Sequence, residues 1–167
     1  MSTGSIKLNR YNGSEIFPFS VAKVRVWQFE DAHTLDFEFE TLPYVERSDS
    51  LEQIPEEKTL SGEIKIILPG KFSLGAVANK KFEVPKSYDE ALDEYVTSLY
   101  YYEHEGLDDN SVEILNIDDD SFRVRWEATA CDPNFYDGSK PRTKVLIEGK
   151  FLWGGITKQA GTLISEE

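Results

Sequence analysis

The sequence predicts an α+β fold in which a curved antiparallel sheet of about seven strands packs on one long helix. Several segments alternate apolar and polar residues with a period of two, which is typical of half-buried strands. One segment repeats its apolar residues at helical spacing, and such a helix needs an apolar surface to cover. Short turns join the strand segments without strand–helix–strand alternation, which favours antiparallel pairing. A β-sandwich or closed barrel with an appended helix is the alternative.

A β-hairpin is predicted in the first quarter of the chain. Residues 34–40 alternate strictly and place three apolar side chains, Leu35, Phe37 and Phe39, on one face and acidic side chains on the other. Residues 23–29 also alternate, and four residues separate the two segments. Two alternating segments joined by so short a link are typical of a hairpin.

The segments around this hairpin have weaker patterns. Residues 60–68 alternate and end at a Pro-Gly turn signal, so they predict a further strand. Residues 1–14 are rich in Ser, Gly and Asn, and we expect them to be flexible. Residues 42–59 contain two prolines and no periodicity, which predicts a long loop. Residues 71–84 are expected to hold one or two short strands.

Residues 88–104 are predicted to form the only long helix. Ser87 and Glu90 fit a capping box, in which each side chain bonds the other residue's backbone N–H. Gly106 follows as a typical residue for a left-handed helix end. At about 100° per residue, the apolar side chains form one stripe, which consists of Tyr88, Ala91, Leu92, Tyr95, Val96, Leu99 and Tyr102.

The chain after the helix again has strand periodicity. Residues 112–117 and 122–130 form two predicted strands joined by an acidic turn, and residues 143–153 form a third. Residues 162–164 are expected to add a short edge strand. A length of 167 residues with 40% hydrophobic residues fits a single domain spanning residues 1–167.

The negative charge is concentrated in one part of the chain. The segment between Lys86 and Arg123 contains 12 of the 31 acidic residues and none of the 18 basic ones, so it carries −12 of the net charge of −13. Nucleic acids and anionic membranes require a basic surface, so neither is expected as a partner. A localised negative field favours a basic protein partner.

The predicted helix also presents aromatic side chains among its acidic residues. Tyr100 and Tyr101 project away from the apolar stripe, where a rigid aromatic ring can supply contact area while carboxylates steer a basic partner. The alternative is that these tyrosines pack against a neighbouring strand or loop. The predicted partner-binding residues are Glu90, Asp93, Glu94, Thr97, Tyr100, Tyr101 and His104.

No catalytic, metal-binding or cofactor-binding residue is predicted. The acidic runs at 108–110 and 118–120 lack the glycine and the bidentate glutamate of an EF-hand, so turn chemistry explains them better. His33 and His104 are not spaced as zinc ligands. Cys131, the only cysteine, is expected to be a small buried side chain and not a nucleophile. No glycine-rich nucleotide motif is present.

The sequence therefore predicts a non-enzymatic acidic binding protein that docks a basic protein through the acidic, tyrosine-bearing helix face. A small-ligand-binding β-rich domain is the first alternative, and a hydrolase that uses carboxylates is the second. The single cysteine, the lack of a secretory signal pattern and the lack of a long apolar stretch predict a soluble, cytoplasmic protein. The oligomeric state is left open.

Overall fold

The computed structural model describes residues 3–11, 13–43, 46–47, 59–101, 103–131 and 141–163. In this part of the chain 68% of residues are in strands and 3% are helical, and no helix reaches seven residues. The elements, in chain order, are β1 (Gly4–Arg10), β2 (Gly13–Gln28), β3 (Ala32–Thr41), β4 (Glu46–Arg47), β5 (Ser61–Pro69), α1 (Leu74–Val77), β6 (Lys81–Val84), β7 (Tyr88–Asp89), β8 (Glu94–Tyr95), β9 (Thr97–Tyr101), β10 (Glu103–Glu105), β11 (Asp108–Ile117), β12 (Ser121–Ala130) and β13 (Thr143–Lys158).

The predicted α+β class is wrong, because the molecule is almost entirely sheet. The main sheet has the strand order β10-β9-β5-β3-β2-β1-β13-β12-β11-β6, with β4 beside β2. Its neighbouring strands are antiparallel, except that the second half of β2 also pairs with β13 in parallel. The four-residue helix α1 is too short to be the appended helix of the alternative fold. Among the described residues, no helix has the length and apolar character required to cross a membrane.

The main sheet bends so that its inner face packs on itself. The ring of Phe37 on β3 lies 5.5 Å from Phe151 on β13 and 6.4 Å from Phe122 on β12, in edge-on contacts. Phe39, further along β3, meets Trp126 of β12 at 6.0 Å. These aromatic contacts join strands from both halves of the sheet into one buried core.

Most of the strands predicted by period-two alternation are confirmed. The predicted hairpin is present, since β2 and β3 pair with Val24 opposite Phe37. The predicted strands at 60–68, 112–117, 122–130 and 143–153 correspond to β5, β11, β12 and β13.

Three expectations for the remaining segments have other outcomes. The N-terminal segment expected to be flexible contains β1, whose Ile6 and Leu8 are buried in the core. The expected loop at 42–59 lies mostly outside the described residues. Within the expected edge strand at 162–164, residues 162 and 163 are not in a strand, and residue 164 lies outside the described ranges.

The predicted helix at 88–104 is also wrong, because its first half forms a tight hairpin. Tyr88 on β7 and Tyr95 on β8 are paired and make an edge-on ring contact at 5.1 Å. Between them, Asp89 accepts a hydrogen bond from the backbone N–H of Leu92 at 3.1 Å, and Asp93 has a φ of 54°. Aspartate favours both features in turns, since its side chain bonds nearby backbone and tolerates the left-handed region.

The second half of the predicted helix is the strand β9. Thr97, Leu99 and Tyr101 are buried, whereas Ser98 and Tyr100 between them are more exposed. Just before β9, Val96 accepts a backbone hydrogen bond from Lys65 on β5 and donates one to the carbonyl of Ser87, both at 2.8 Å. Val96 therefore links Lys65 on β5 to Ser87, which lies shortly after β6.

Candidate functional site

The residues predicted to bind a partner are not on one face. Tyr100 and His104 point outward from neighbouring strands, β9 and β10, and their rings lie 4.7 Å apart. Thr97 points inward and is buried, where its hydroxyl bonds the backbone of Leu107. The acidic members of the set, Glu90, Asp93 and Glu94, belong to the β7–β8 hairpin.

Tyr101 is a structural residue and not part of a surface. Its side chain is buried, and its hydroxyl donates a hydrogen bond to Oε2 of Glu15 at 2.9 Å. Oε1 of Glu15 accepts from Arg10 at 2.6 and 2.9 Å, and both charged side chains are fully buried. Buried charges are tolerated when they are paired and hydrogen-bonded in this way.

Tyr100 instead lines a depression on the outer face of the sheet, and His104 lines both this depression and an adjoining one. The depressions have volumes of about 330 and 640 Å³, and they share Glu63, Ser98 and His104. We call them together the acidic groove. The polar and aromatic residues that line it, some of them through backbone atoms, are Lys23, Glu38, Phe39, Glu40, Ser61, Glu63, Tyr95, Thr97, Ser98, Tyr100, His104 and Glu105.

The acidic groove has a strongly negative lining. Four glutamates, Glu38, Glu40, Glu63 and Glu105, face one lysine, Lys23. Burial raises the pKa of the Glu105 carboxyl, with a further contribution from the charge of Glu103, while Arg142 opposes the shift.

Two of these glutamates belong to a tighter group, which we call the carboxylate cluster: Asp36, Glu38 and Glu63. Asp36 and Glu38 are alternate residues of β3, and Glu63 on β5 lies directly opposite Glu38. One carboxylate oxygen from each residue lies within 4.8 Å of the other two. The cluster therefore sits at one side of the acidic groove, on two hydrogen-bonded strands that hold it in place.

Basic side chains on the flanking strands compensate the cluster only in part. Arg25 on β2 forms a short ion pair with Oε1 of Glu38, and Lys65 on β5 lies 3.9 Å from Oε1 of Glu63. In the described part of the chain, neither Arg25 nor Lys65 lies within ion-pair distance of Asp36. The three carboxylates therefore have only two basic partners, and Asp36 is the one that forms no ion pair with either base.

Asp36 is the most buried member of the cluster, with 5% of its surface exposed. Its Oδ2 accepts a hydrogen bond from Nε1 of Trp27 at 3.3 Å, whereas Oδ1 is buried and has no hydrogen-bond partner in the described structure. Burial raises the pKa of Asp36, and the bond from Trp27 opposes that shift. The pKa of Glu63 is raised by burial and by the charge of Asp36.

Sequence reasoning missed the residues that give the groove its charge. It concentrated on the acidic segment after Lys86, but Glu38, Glu40 and Glu63 lie on β3 and β5. The signal was present as alternating acids on the polar face of the strand at 34–40. Only the pairing of β3 with β5 places Glu63 beside Glu38.

The acidic runs considered as calcium loops have structural partners. Asp108 accepts from the backbone N–H of Ser87 at 2.8 Å and pairs with Arg142 at 2.9 Å. Asp118 accepts from the side chain of Asn116 at 3.1 Å in the turn between β11 and β12. The Asp118 contact is typical of a turn, whereas Asp108 belongs to the strand β11.

A separate slot of about 430 Å³ lies between β5 and β6. Its walls include the apolar side chains of Ile66, Phe82 and Val84, and Lys86 and Glu90 are among its charged residues. This slot is where a small ligand would bind under the first alternative hypothesis.

Comparisons with protein-family models, with curated proteins and with solved structures found no match to this chain. The described part of the chain is an all-β domain. Its bent sheet is almost wholly antiparallel and carries the acidic groove on its outer face.

Proposed function

We propose that this protein is a non-enzymatic binding protein that takes a lysine- or arginine-bearing segment of a partner protein into the acidic groove. The observation that carries the proposal is the composition of the groove lining, in which four glutamates face one lysine and two tyrosines are exposed. Because the groove is concave and negative, it concentrates field lines and raises the association rate of a basic partner.

The aromatic side chains supply contact area that charge alone does not. Tyr95 is 67% exposed and Tyr100 is 38% exposed, so both rings offer contact area at the groove. A lysine or arginine side chain can lie over a tyrosine face while its charge reaches a glutamate. Tyr100 is also held by its ring contact with His104, so little side-chain freedom is lost on binding.

The net charge of −13 repels nucleic acid and anionic membranes. It therefore favours a protein partner over either of them. A cytoplasmic location is part of the proposal, because the only cysteine, Cys131, is a free thiol.

A second candidate function is hydrolysis, and one observation favours it. Glu63 has a raised pKa and an oxygen within 4.8 Å of one on Glu38. Retaining glycosidases hold their two carboxyl groups about 5 Å apart, with one protonated. If the wild type hydrolyses a chromogenic glycoside and Glu63→Gln does not, catalysis and not binding is the function.

The binding proposal is tested with lysine- and arginine-rich peptides selected from a random display library. Affinities are measured by fluorescence anisotropy for the wild type, for the double variant Glu40→Gln/Glu105→Gln and for the control Asp119→Asn/Asp120→Asn. Both double variants remove two negative charges, but only the first removes them from the groove. We expect the groove variant to weaken binding by about tenfold and the control by less than about twofold. Equal losses would show that net charge, and not the groove, attracts the peptides.

Tyr100→Ala separates contact from steering. We expect it to raise the dissociation rate with little change in the association rate, because it removes contact area and no charge. A change confined to the association rate would contradict a contact role for Tyr100.

A further inference from the structure

The carboxylate cluster has a property that binding of a basic segment in the groove does not explain. Asp36 is 5% exposed, and its Oδ1 is buried without a hydrogen-bond partner in the described structure. A buried carboxylate oxygen without a donor is unfavourable, so this oxygen has capacity for a further partner. The nearest acceptor-only groups, Glu38 and Glu63, cannot donate while they are ionised.

We propose that Asp36, Glu38 and Glu63 bind a hard divalent cation of the size of Ca²⁺. All three proposed ligand atoms are carboxylate oxygens, which are the ligands that such cations prefer. Their mutual separation of at most 4.8 Å fits a common centre, because two oxygens on opposite sides of Ca²⁺ lie about 4.8 Å apart at a Ca–O distance of about 2.4 Å. Water completes the coordination from the groove.

The neighbouring bases leave room for the cation. Arg25 and Lys65 form their ion pairs with Glu38 and Glu63, and neither forms one with Asp36 in the described part of the chain. With three carboxylates and two bases, the cluster retains one negative charge without a basic partner, and a cation supplies that partner. Because Arg25 and Lys65 also repel the cation, we expect a dissociation constant of about 10⁻⁴ to 10⁻³ M, in the weak range for calcium sites.

The cation has a path to the cluster from solvent. Glu38 and Glu63 line the acidic groove, and Asp36 lies next to them on the same sheet face. On the side away from the groove, Trp27 covers Asp36 through its indole N–H. This arrangement places an indole ring beside the site, where it can sensitise a luminescent lanthanide.

The test uses Tb³⁺ as a Ca²⁺ analogue, with excitation of tryptophan at pH 7.5. We expect saturable Tb³⁺ luminescence that Ca²⁺ displaces. Asp36→Asn, which keeps the shape and the acceptor for Trp27, should weaken Tb³⁺ binding by about tenfold or more. Glu40→Gln removes one charge from the next outward position of β3, outside the cluster, and should weaken binding by less than about twofold.

Two further measurements keep the outcomes distinct. Trp27→Phe should abolish most of the luminescence while Ca²⁺ still raises the thermal unfolding temperature, since the ligands remain. Thermal unfolding of Asp36→Asn without metal establishes that this variant is folded. Tb³⁺ binding that is unchanged in Asp36→Asn would place the ion elsewhere and overturn the proposal, as would the lack of any Ca²⁺ or Tb³⁺ effect at about 10 mM, well above the expected range.

The cation site shares Glu38 and Glu63 with the acidic groove, but its test can succeed or fail separately from that of the proposed function. Loss of peptide binding in Glu40→Gln/Glu105→Gln with unchanged Tb³⁺ binding supports both proposals. Tb³⁺ binding without any peptide binding would support the cation site and contradict the proposal of a basic partner.

Discussion

Tyr101 donates its hydroxyl hydrogen to Oε2 of Glu15 at 2.9 Å, and this bond joins β9, near one edge of the sheet, to β2 in its middle. Arg10 binds the other oxygen of the same carboxylate, and its guanidinium lies 5.7 Å from the Tyr101 ring centre. Because the charge is buried, removing one of its bonding partners is destabilising.

Tyr101→Phe should therefore lower the free energy of unfolding by about 1.5–3 kcal/mol, the range for a hydrogen bond to a charged group. Tyr100→Phe is the matched control, because the neighbouring Tyr100 points outward and is 38% exposed. We expect it to change stability by less than about 0.5 kcal/mol. Urea unfolding measures both, and equal effects would contradict the inward orientation of Tyr101.

Leu99 and Leu92 distinguish the sheet from the helix that the sequence predicts. In that helix both leucines lie on the apolar stripe and would be equally important. In the structure Leu99 is fully buried in β9, whereas Leu92 is half-buried in the β7–β8 turn. Leu99→Ala should cost about 2–5 kcal/mol, and Leu92→Ala about 1 kcal/mol or less. Similar costs in urea unfolding would favour the helix.

Asp36→Asn should stabilise the metal-free protein at neutral pH. Since the pKa of Asp36 is raised in the fold, its ionised form is disfavoured there. This penalty is absent below the ordinary value of 3.8 and develops as the pH rises through the raised pKa. Burial is the main cause of the raised pKa of Asp36, and the charge of Glu38 adds to it, whereas Lys65 and Arg25 lower the pKa.

The stabilisation by Asp36→Asn is measured by urea unfolding in EDTA at several pH values from about 8 down towards the ordinary pKa of 3.8. We expect the difference from wild type to be largest at the alkaline end and to shrink as the pH falls. Glu40→Gln, an exposed change of one charge on the same strand, is the control. A stabilisation that grows on acidification would contradict the assignment.

Gly149 allows the close approach of β13 to the chain entering β1. A Cβ at this position would lie 2.5 Å from Cα of Gly4 and from the carbonyl oxygen of Thr3, and its φ of +153° is one that side chains rarely adopt. Gly149→Ala should therefore cost about 1–3 kcal/mol. In the helix α1, Gly75 has open space around it, so Gly75→Ala should be neutral or slightly stabilising. Thermal unfolding of the two variants tests this contrast.

The polar alternation on β3 shows how far sequence patterns determine a candidate site. The positions of Asp36, Glu38 and Glu40 on one outer face follow from a period of two alone. Their partners do not, because Glu63 is 23 residues beyond Glu40 and meets Glu38 only through the register of β3 with β5. Register depends on long-range packing, which a local pattern does not contain.

The sequence by itself determined the strands with strict alternation and the short link between β2 and β3, because a single buried face requires that pattern. The segment at 88–104 was decided by tertiary structure. Its apolar residues fit both a helical stripe and the alternation of Thr97, Leu99 and Tyr101. The strand prevails because it lets the Tyr101 hydroxyl bond Glu15 and pairs β9 with β5, and a helix formed by local contacts makes neither interaction.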